Sequence, residues 1–128
     1  MGRLGKAMVF AGAVAMLATV VPDADAASVR VRCEKRMDKP RSKVSVDGNN
    51  LTTGNYTARA TSGPNSAVSA PKPTVGDEVE FDFDSRRRDI RRGATPIAPD
   101  FIVGPVTGEI INAQGNVVAS DTVSCRVR

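Results

Sequence analysis

Val29-Arg30-Val31-Arg32-Cys33 and Val123-Ser124-Cys125-Arg126-Val127-Arg128 lie at opposite ends of the chain that follows the leader, and both alternate apolar with polar side chains. A period of two is the mark of a strand with one buried face. It predicts Val29, Val31 and Cys33 on one inward face and Val123, Cys125 and Val127 on another. Arg30, Arg32, Arg126 and Arg128 then point to water. The chain has 2 cysteines, and both fall on these inward faces, so a Cys33–Cys125 disulfide is expected. It would close a loop of about 93 residues, worth roughly 4–5 kcal/mol by chain entropy. A redox or catalytic thiol is the weaker reading, because no CxxC pair is present to lower a thiol pKa.

The first residues read as a targeting segment. Arg3 and Lys6 form a cationic start, Ala7 to Val21 carries no charge, Pro22 breaks the run, and Ala24-Asp25-Ala26 has the small-residue pattern of a cleavage site. A signal-peptide helix over residues 1–26 is therefore predicted, with one domain over 27–128. The rival reading, an uncleaved anchor, needs roughly 20 apolar residues to span a bilayer, and this run is shorter and rich in alanine. Export puts both cysteines in an oxidising compartment and predicts a periplasmic or extracellular protein with no membrane span after cleavage. The leader carries two bases and two acids, so the domain keeps the net charge of +4.

Further strands follow from the same pattern. Lys43 to Val46 and Asn55 to Ala60 alternate, the latter with Tyr56, Ala58 and Ala60 on one side. Val79-Glu80-Phe81-Asp82-Phe83-Asp84 is the clearest strand, with its valine and phenylalanines facing opposite to its acids. Val106 to Asn112 and Asn116 to Ala119 flank Ala113-Gln114-Gly115 and predict a hairpin. Asp47-Gly48-Asn49-Asn50 reads as a turn, and Gly104, Gly108 and Gly115 are spaced as turn residues. Ser62 to Pro73 reads as a loop with a short edge strand near Val68, and Gly93 to Pro99 as irregular. Ser85 to Arg92 fits one helical turn, with Ser85 as N-cap and Gly93 as stop. Short strands with turns every 8–12 residues predict an all-β fold, an antiparallel β-sandwich. Its expected core is Val29, Val31, Val44, Val46, Tyr56, Val79, Phe81, Phe83, Phe101, Ile110, Val118, Val123 and Val127.

Composition removes much chemistry. The chain has no histidine, which excludes Ser-His-Asp and Cys-His catalysis and histidine metal sites. Cysteines held in a disulfide leave no ligands for zinc or iron–sulfur centres. No Gly-rich phosphate loop occurs, tryptophan is absent, and the few aromatics are needed in the core. Neither a cofactor nor a catalytic residue is expected.

Two charge features are candidate sites. Glu78, Glu80, Asp82 and Asp84 are spaced two apart and would line one strand face. A solvated face is the first reading; a cation site or a carboxylate- or metal-dependent hydrolase is the alternative. Arg86, Arg87, Arg88, Arg91 and Arg92 form a candidate anion patch, supplemented by bases between Arg30 and Lys43. The bland reading is neutralisation by the adjacent acidic strand or by Asp89. The other is salt-sensitive binding of a polyanion such as anionic lipid heads, acidic glycans or an acidic protein; export argues against nucleic acid. Asn50-Leu51-Thr52 and Asn55-Tyr56-Thr57 match glycosylation sequons, but no glycan is predicted.

Glu80-Phe81-Asp82-Phe83-Asp84-Ser85, Asp89-Ile90, Gly93-Ala94-Thr95, Phe101-Ile102 and Cys125-Arg126-Val127 resemble a group of small uncharacterised exported bacterial proteins over the C-terminal half. That resemblance implies no activity. The paired terminal cysteines and the strand count are similar in outline to immunoglobulin-like domains, without the tryptophan such domains carry beside the disulfide. The expected function is a non-enzymatic role in binding or envelope structure, with an unidentified protein or an anionic envelope component as partner.

Overall fold

Val44 and Val46 of one strand lie directly beside Phe83 and Phe81 of another, and all four are almost completely shielded from water. They belong to a computed structural model that describes residues 27–128; the predicted leader lies outside these residues. In chain order the elements are β1 (Ser28–Arg36), β2 (Arg41–Asn49), β3 (Asn55–Ser62), β4 (Asn65–Val68), β5 (Lys72–Pro73), β6 (Val79–Asp84), α1 (Arg87–Arg91), β7 (Thr95–Pro96), β8 (Val106–Asn112), β9 (Val117–Val123) and β10 (Arg126–Val127). They form two sheets, one ordered β10-β1-β2-β6-β7 and the other β4-β3-β8-β9, with β5 also on β3. The fold is the expected all-β sandwich. Its long pairings are antiparallel, while the two-residue edges β10 and β7 run parallel to β1 and β6.

The interior joins valines and phenylalanines on the first sheet to a mixture of small and large side chains on the second. Val31, Val44, Val46, Val79, Phe81 and Phe83 face Ala58, Ala60, Val106 and Ile110, and Tyr56 closes one end. Two glycines read as turn residues lie inside strands instead. Gly48 belongs to β2, and the chain reverses after it at Asn50, which has a φ of 56°. Gly108 belongs to β8, where an added Cβ would sit 2.6 Å from Val31 Cγ2 and 3.0 Å from Val46 Cγ2. It is the close approach of the sheets, not chain reversal, that excludes a side chain there.

Other expectations need correction. Val123 to Arg128 is not one strand. β9 ends at Val123 in the second sheet, the chain crosses at Ser124-Cys125, and β10 joins the first sheet. Val127 is therefore 64% exposed, while Val29, Val118 and Val123 pack only partly buried on the core. The core gains Leu51, Ile97, Ile102 and Val106 from loops and strand ends. The segment after Gly93 contributes the short β7.

Cys33 and Cys125 are bonded, joining β1 to the crossover between the sheets. A disulfide of this kind forms and persists outside the reducing cytoplasm. Two buried serines complete the closure. Ser42 Oγ donates to the Pro99 carbonyl and accepts from the Ile102 N–H, and Ser62 Oγ does the same with Pro105 and Val103. One hydroxyl from each sheet thus holds the loop that carries Phe101 and Ile102 into the interior.

Replacing both cysteines by serine is expected to cost roughly 4–5 kcal/mol, read as a lower urea midpoint; an unchanged midpoint would show that the crossover holds without the bond. Gly108→Ala should destabilise the domain by about 1–3 kcal/mol through overpacking, whereas Gly115→Ala, in the open β8–β9 turn, acts only through its φ of 88°.

Candidate functional site

The end of the sandwich that bears α1 is built around one carboxylate. Asp84 follows Glu80 and Asp82 at the strand period, yet it is only 1% exposed. Arg41, the first residue of the neighbouring β2, covers it with two hydrogen bonds, Nε to Oδ1 at 3.0 Å and Nη2 to Oδ2 at 2.7 Å. Oδ1 also accepts from the Arg86 N–H at 2.9 Å. Arg41 Nη2 reaches on to Asp89 in α1 at 3.3 Å. A two-pronged guanidinium–carboxylate contact is the strong form of the charge-assisted bond. The predicted acidic stripe is therefore broken, and its last member is a structural ion pair.

Burial pushes the Asp84 carboxyl up, but hydrogen bonds from Arg41 and the Arg86 N–H, helped by the charges of Arg41 and Lys43, outweigh it and hold Asp84 below the usual carboxylate range. The same bond raises Arg41. Asp47, across the outer face of the first sheet, shifts the other way. Its burial raises it, Arg32 at 3.0 Å partly offsets this, and the like charges of Glu80 and Asp82 add to the rise.

The remaining acids of the stripe do not converge. Glu78 precedes β6 and forms an isolated bridge with Val75, Glu80 is exposed, and Asp82 accepts from Ser45 Oγ at 3.1 Å. Among the described residues no three His, Cys, Asp or Glu side chains come close enough together to hold a metal ion. Beside the stripe lies a cleft of about 520 Å³ between α1, β7 and the Ser69–Lys72 segment, walled by Lys43, Lys72 and Arg92 as well as Asp82 and Asp89. Lys72 sits 5.5 Å from the centre of the Phe81 ring and donates to the Glu80 carbonyl at 2.6 Å.

The arginine cluster forms as a helical turn, one residue later than Ser85 would cap it. Arg86 occupies the N-cap position with no side-chain cap; its N–H is taken by Asp84. Ser85 instead accepts from the Ser42 N–H, fastening the turn to β2. Gly93, at φ 110°, ends the helix as expected. Arg86 pairs with Asp89 at 3.4 Å. Arg87, Arg88, Arg91 and Arg92 are exposed and, among the described residues, make no ion pair. Of the acids that sequence reading offered as their counter-charges, Asp84 is engaged by Arg41 and Asp89 by Arg41 and Arg86, while Asp82 accepts from Ser45 and Glu80 is exposed. Sequence reading missed Arg41 as the key partner, because the pairing joins residues 43 apart.

No family model, curated protein or solved structure matches this chain. Its chemistry rests on the arrangement just described. Among the described residues no helix is long and apolar enough to cross a membrane.

The two shifts make opposite contributions on the acid side. Asp84, depressed in the native chain, adds stability that is complete above the ordinary aspartate range and is lost as pH falls through that range toward its native value. Asp47, raised, is relieved as pH falls. Asp84→Asn should lower stability at neutral pH by roughly 3 kcal/mol and flatten its decline between about pH 5 and 3. Urea melts at both pH values check this; an unchanged slope would assign the acid sensitivity to other carboxylates.

Proposed function

We propose that this chain is an exported, non-enzymatic binding domain that engages an acidic ligand through α1 and the residues flanking it. The observation that carries this reading is that Arg87, Arg88, Arg91 and Arg92 make no ion pair among the described residues, while Asp84 and Asp89 are committed to Arg41 and Arg86. Local neutralisation would have used Asp84 and Asp89 for the exposed arginines. Instead those acids brace the helix from beneath, and the outward guanidinium groups remain available. Guanidinium forks match carboxylate, sulfate and phosphate oxygens.

The placement of the candidate acids supports the non-enzymatic reading. The candidate hydrolytic carboxylates are split between a structural ion pair, a serine-bound aspartate and solvent-facing glutamates. The leader and the disulfide support release beyond the cytoplasmic membrane. The sandwich then serves as a rigid support for one charged end.

Heparin chromatography tests the reading. The parent protein should be retained to higher salt than its net charge alone requires. A variant with Arg87, Arg88, Arg91 and Arg92 changed to Gln should elute much earlier with an unchanged melting temperature. A second variant with Arg30 and Arg32 changed to Glu lowers the net charge by the same four units away from α1. Equal loss in both variants would reduce the effect to net charge and overturn the proposal.

A further inference from the structure

Three of the large apolar side chains left in water gather at the same end as α1. Met37 is 60% exposed in the β1–β2 turn, Val103 is 53% exposed in the loop after β7, and Val127 is 64% exposed in β10. The backbone brings Met37 and Val127 together, while Val103 lies against Gly63 in the β3–β4 turn. The Met37 N–H donates to the Arg128 carbonyl at 2.8 Å, and the Arg128 N–H to the Lys35 carbonyl at 2.8 Å. Lys35 Nζ donates to the Ile102 carbonyl at 2.9 Å, drawing in the loop that carries Val103. Met37 and Val127 border a shallow apolar groove floored by Ile102, Gly104 and Pro105. Val75 and Val117, also exposed, lie at the opposite end, beside Glu78 and Ile111.

Cations surround this apolar tip. Lys39 follows Met37 in the same exposed turn, Arg126 and Arg128 flank Val127, and α1, which follows β6, lies two strand spacings from β1 and three from β10 in the sheet order, roughly 10–15 Å. Arg128 is shared with Glu34 at 3.4 Å. Asp38 and Asp100 are the acids at this end without an ion pair among the described residues. The balance is apolar prongs within a mainly basic rim. Water-exposed apolar clusters rimmed by charge mark interaction surfaces. The prongs come from a turn, a loop and the short edge strand β10, at one end of the sandwich. Apolar contact combined with basic charge is the two-part requirement for holding an anionic bilayer surface.

We infer that this end docks on an anionic lipid bilayer, with Met37, Val103 and Val127 entering the headgroup layer while the α1 arginines, Lys39 and Arg126 meet lipid phosphates. The inference rests on the acidic-ligand reading above and names its ligand. The sandwich stands upright on the membrane, with its disulfide close to the bound end and the β8–β9 turn furthest from it.

Vesicle co-sedimentation, run beside heparin chromatography, tests it on the domain Ala27–Arg128, which contains the whole core. The protein should sediment with phosphatidylcholine vesicles containing phosphatidylglycerol, not with phosphatidylcholine alone, and should be released by salt. Changing Met37, Val103 and Val127 to Ser should abolish most vesicle binding while leaving heparin retention and melting temperature unchanged. Changing Arg87, Arg88, Arg91 and Arg92 to Gln should weaken vesicle binding by roughly fivefold per arginine and reduce heparin retention too. Vesicle binding by the serine variant equal to the parent's would overturn the docking geometry. Heparin retention without any affinity for the phosphatidylglycerol vesicles would overturn the lipid assignment in favour of an acidic glycan or protein, leaving the acidic-ligand reading intact. Failure of both assays in the parent would remove that reading as well.

Discussion

Arg41 and Asp84 form the contact through which the fold and the charged end depend on each other. The pair joins the first residue of β2 to the last of β6, and it adds the backbone of Arg86 and the side chain of Asp89 to one network. A carboxylate buried this far is tolerable only when its charge and lone pairs are met. Arg41 and the Arg86 N–H meet them. The consequence reaches outward, because five helical residues are too few to hold their own shape. The α1 turn is held from below by a carboxylate that its own arginines do not neutralise.

The same economy governs the interior. A domain of this size buries a limited share of its surface and has a narrow stability margin. It uses shape to close the gap. Gly108, Ala58 and Ala60 let the second sheet approach the valines and phenylalanines of the first. Ser42 and Ser62 supply paired hydrogen bonds to a loop whose backbone polar groups would otherwise be stranded under Phe101 and Ile102. The Cys33–Cys125 bond then fixes the last of the four places where the chain passes from one sheet to the other, between β9 and β10. Hydrophobic fit and the covalent tie act on different parts of the molecule, the first across the middle of the sandwich and the second at its margin.

What was legible in the sequence follows from range. Period-two alternation is local, so β1, β2, β3, β6 and β8 and their inward valines and phenylalanines could be read directly. The cysteine pairing was legible because both residues shared that alternation. Val123 to Arg128 misled for the same reason: the alternation continues through a change of sheet, and nothing local marks the crossing at Ser124-Cys125. Gly48 and Gly108 look like turn residues because a glycine required by a facing sheet leaves no local signature. Asp84 looked like a fourth exposed acid because its partner begins a different strand. The candidate arginine patch was visible as composition. That its neighbouring acids are occupied is a tertiary fact.

Charge is therefore distributed by position more than by amount. A net charge of +4 is modest, yet the exposed arginines of α1 and the bases beside Met37 and Val127 share one end. On the outer sheet face Asp47 pairs with Arg32 and Asp82 accepts from Ser45, while Glu80 stays exposed. Opposite charges on neighbouring strands can satisfy one another, as Arg41 and Asp84 do where β2 meets β6. Arg87, Arg88, Arg91 and Arg92 lie beyond the strands and, among the described residues, make no ion pair. The network around Asp84 extends this by removing the two nearest acids from competition, so the field at that end is set by arginine.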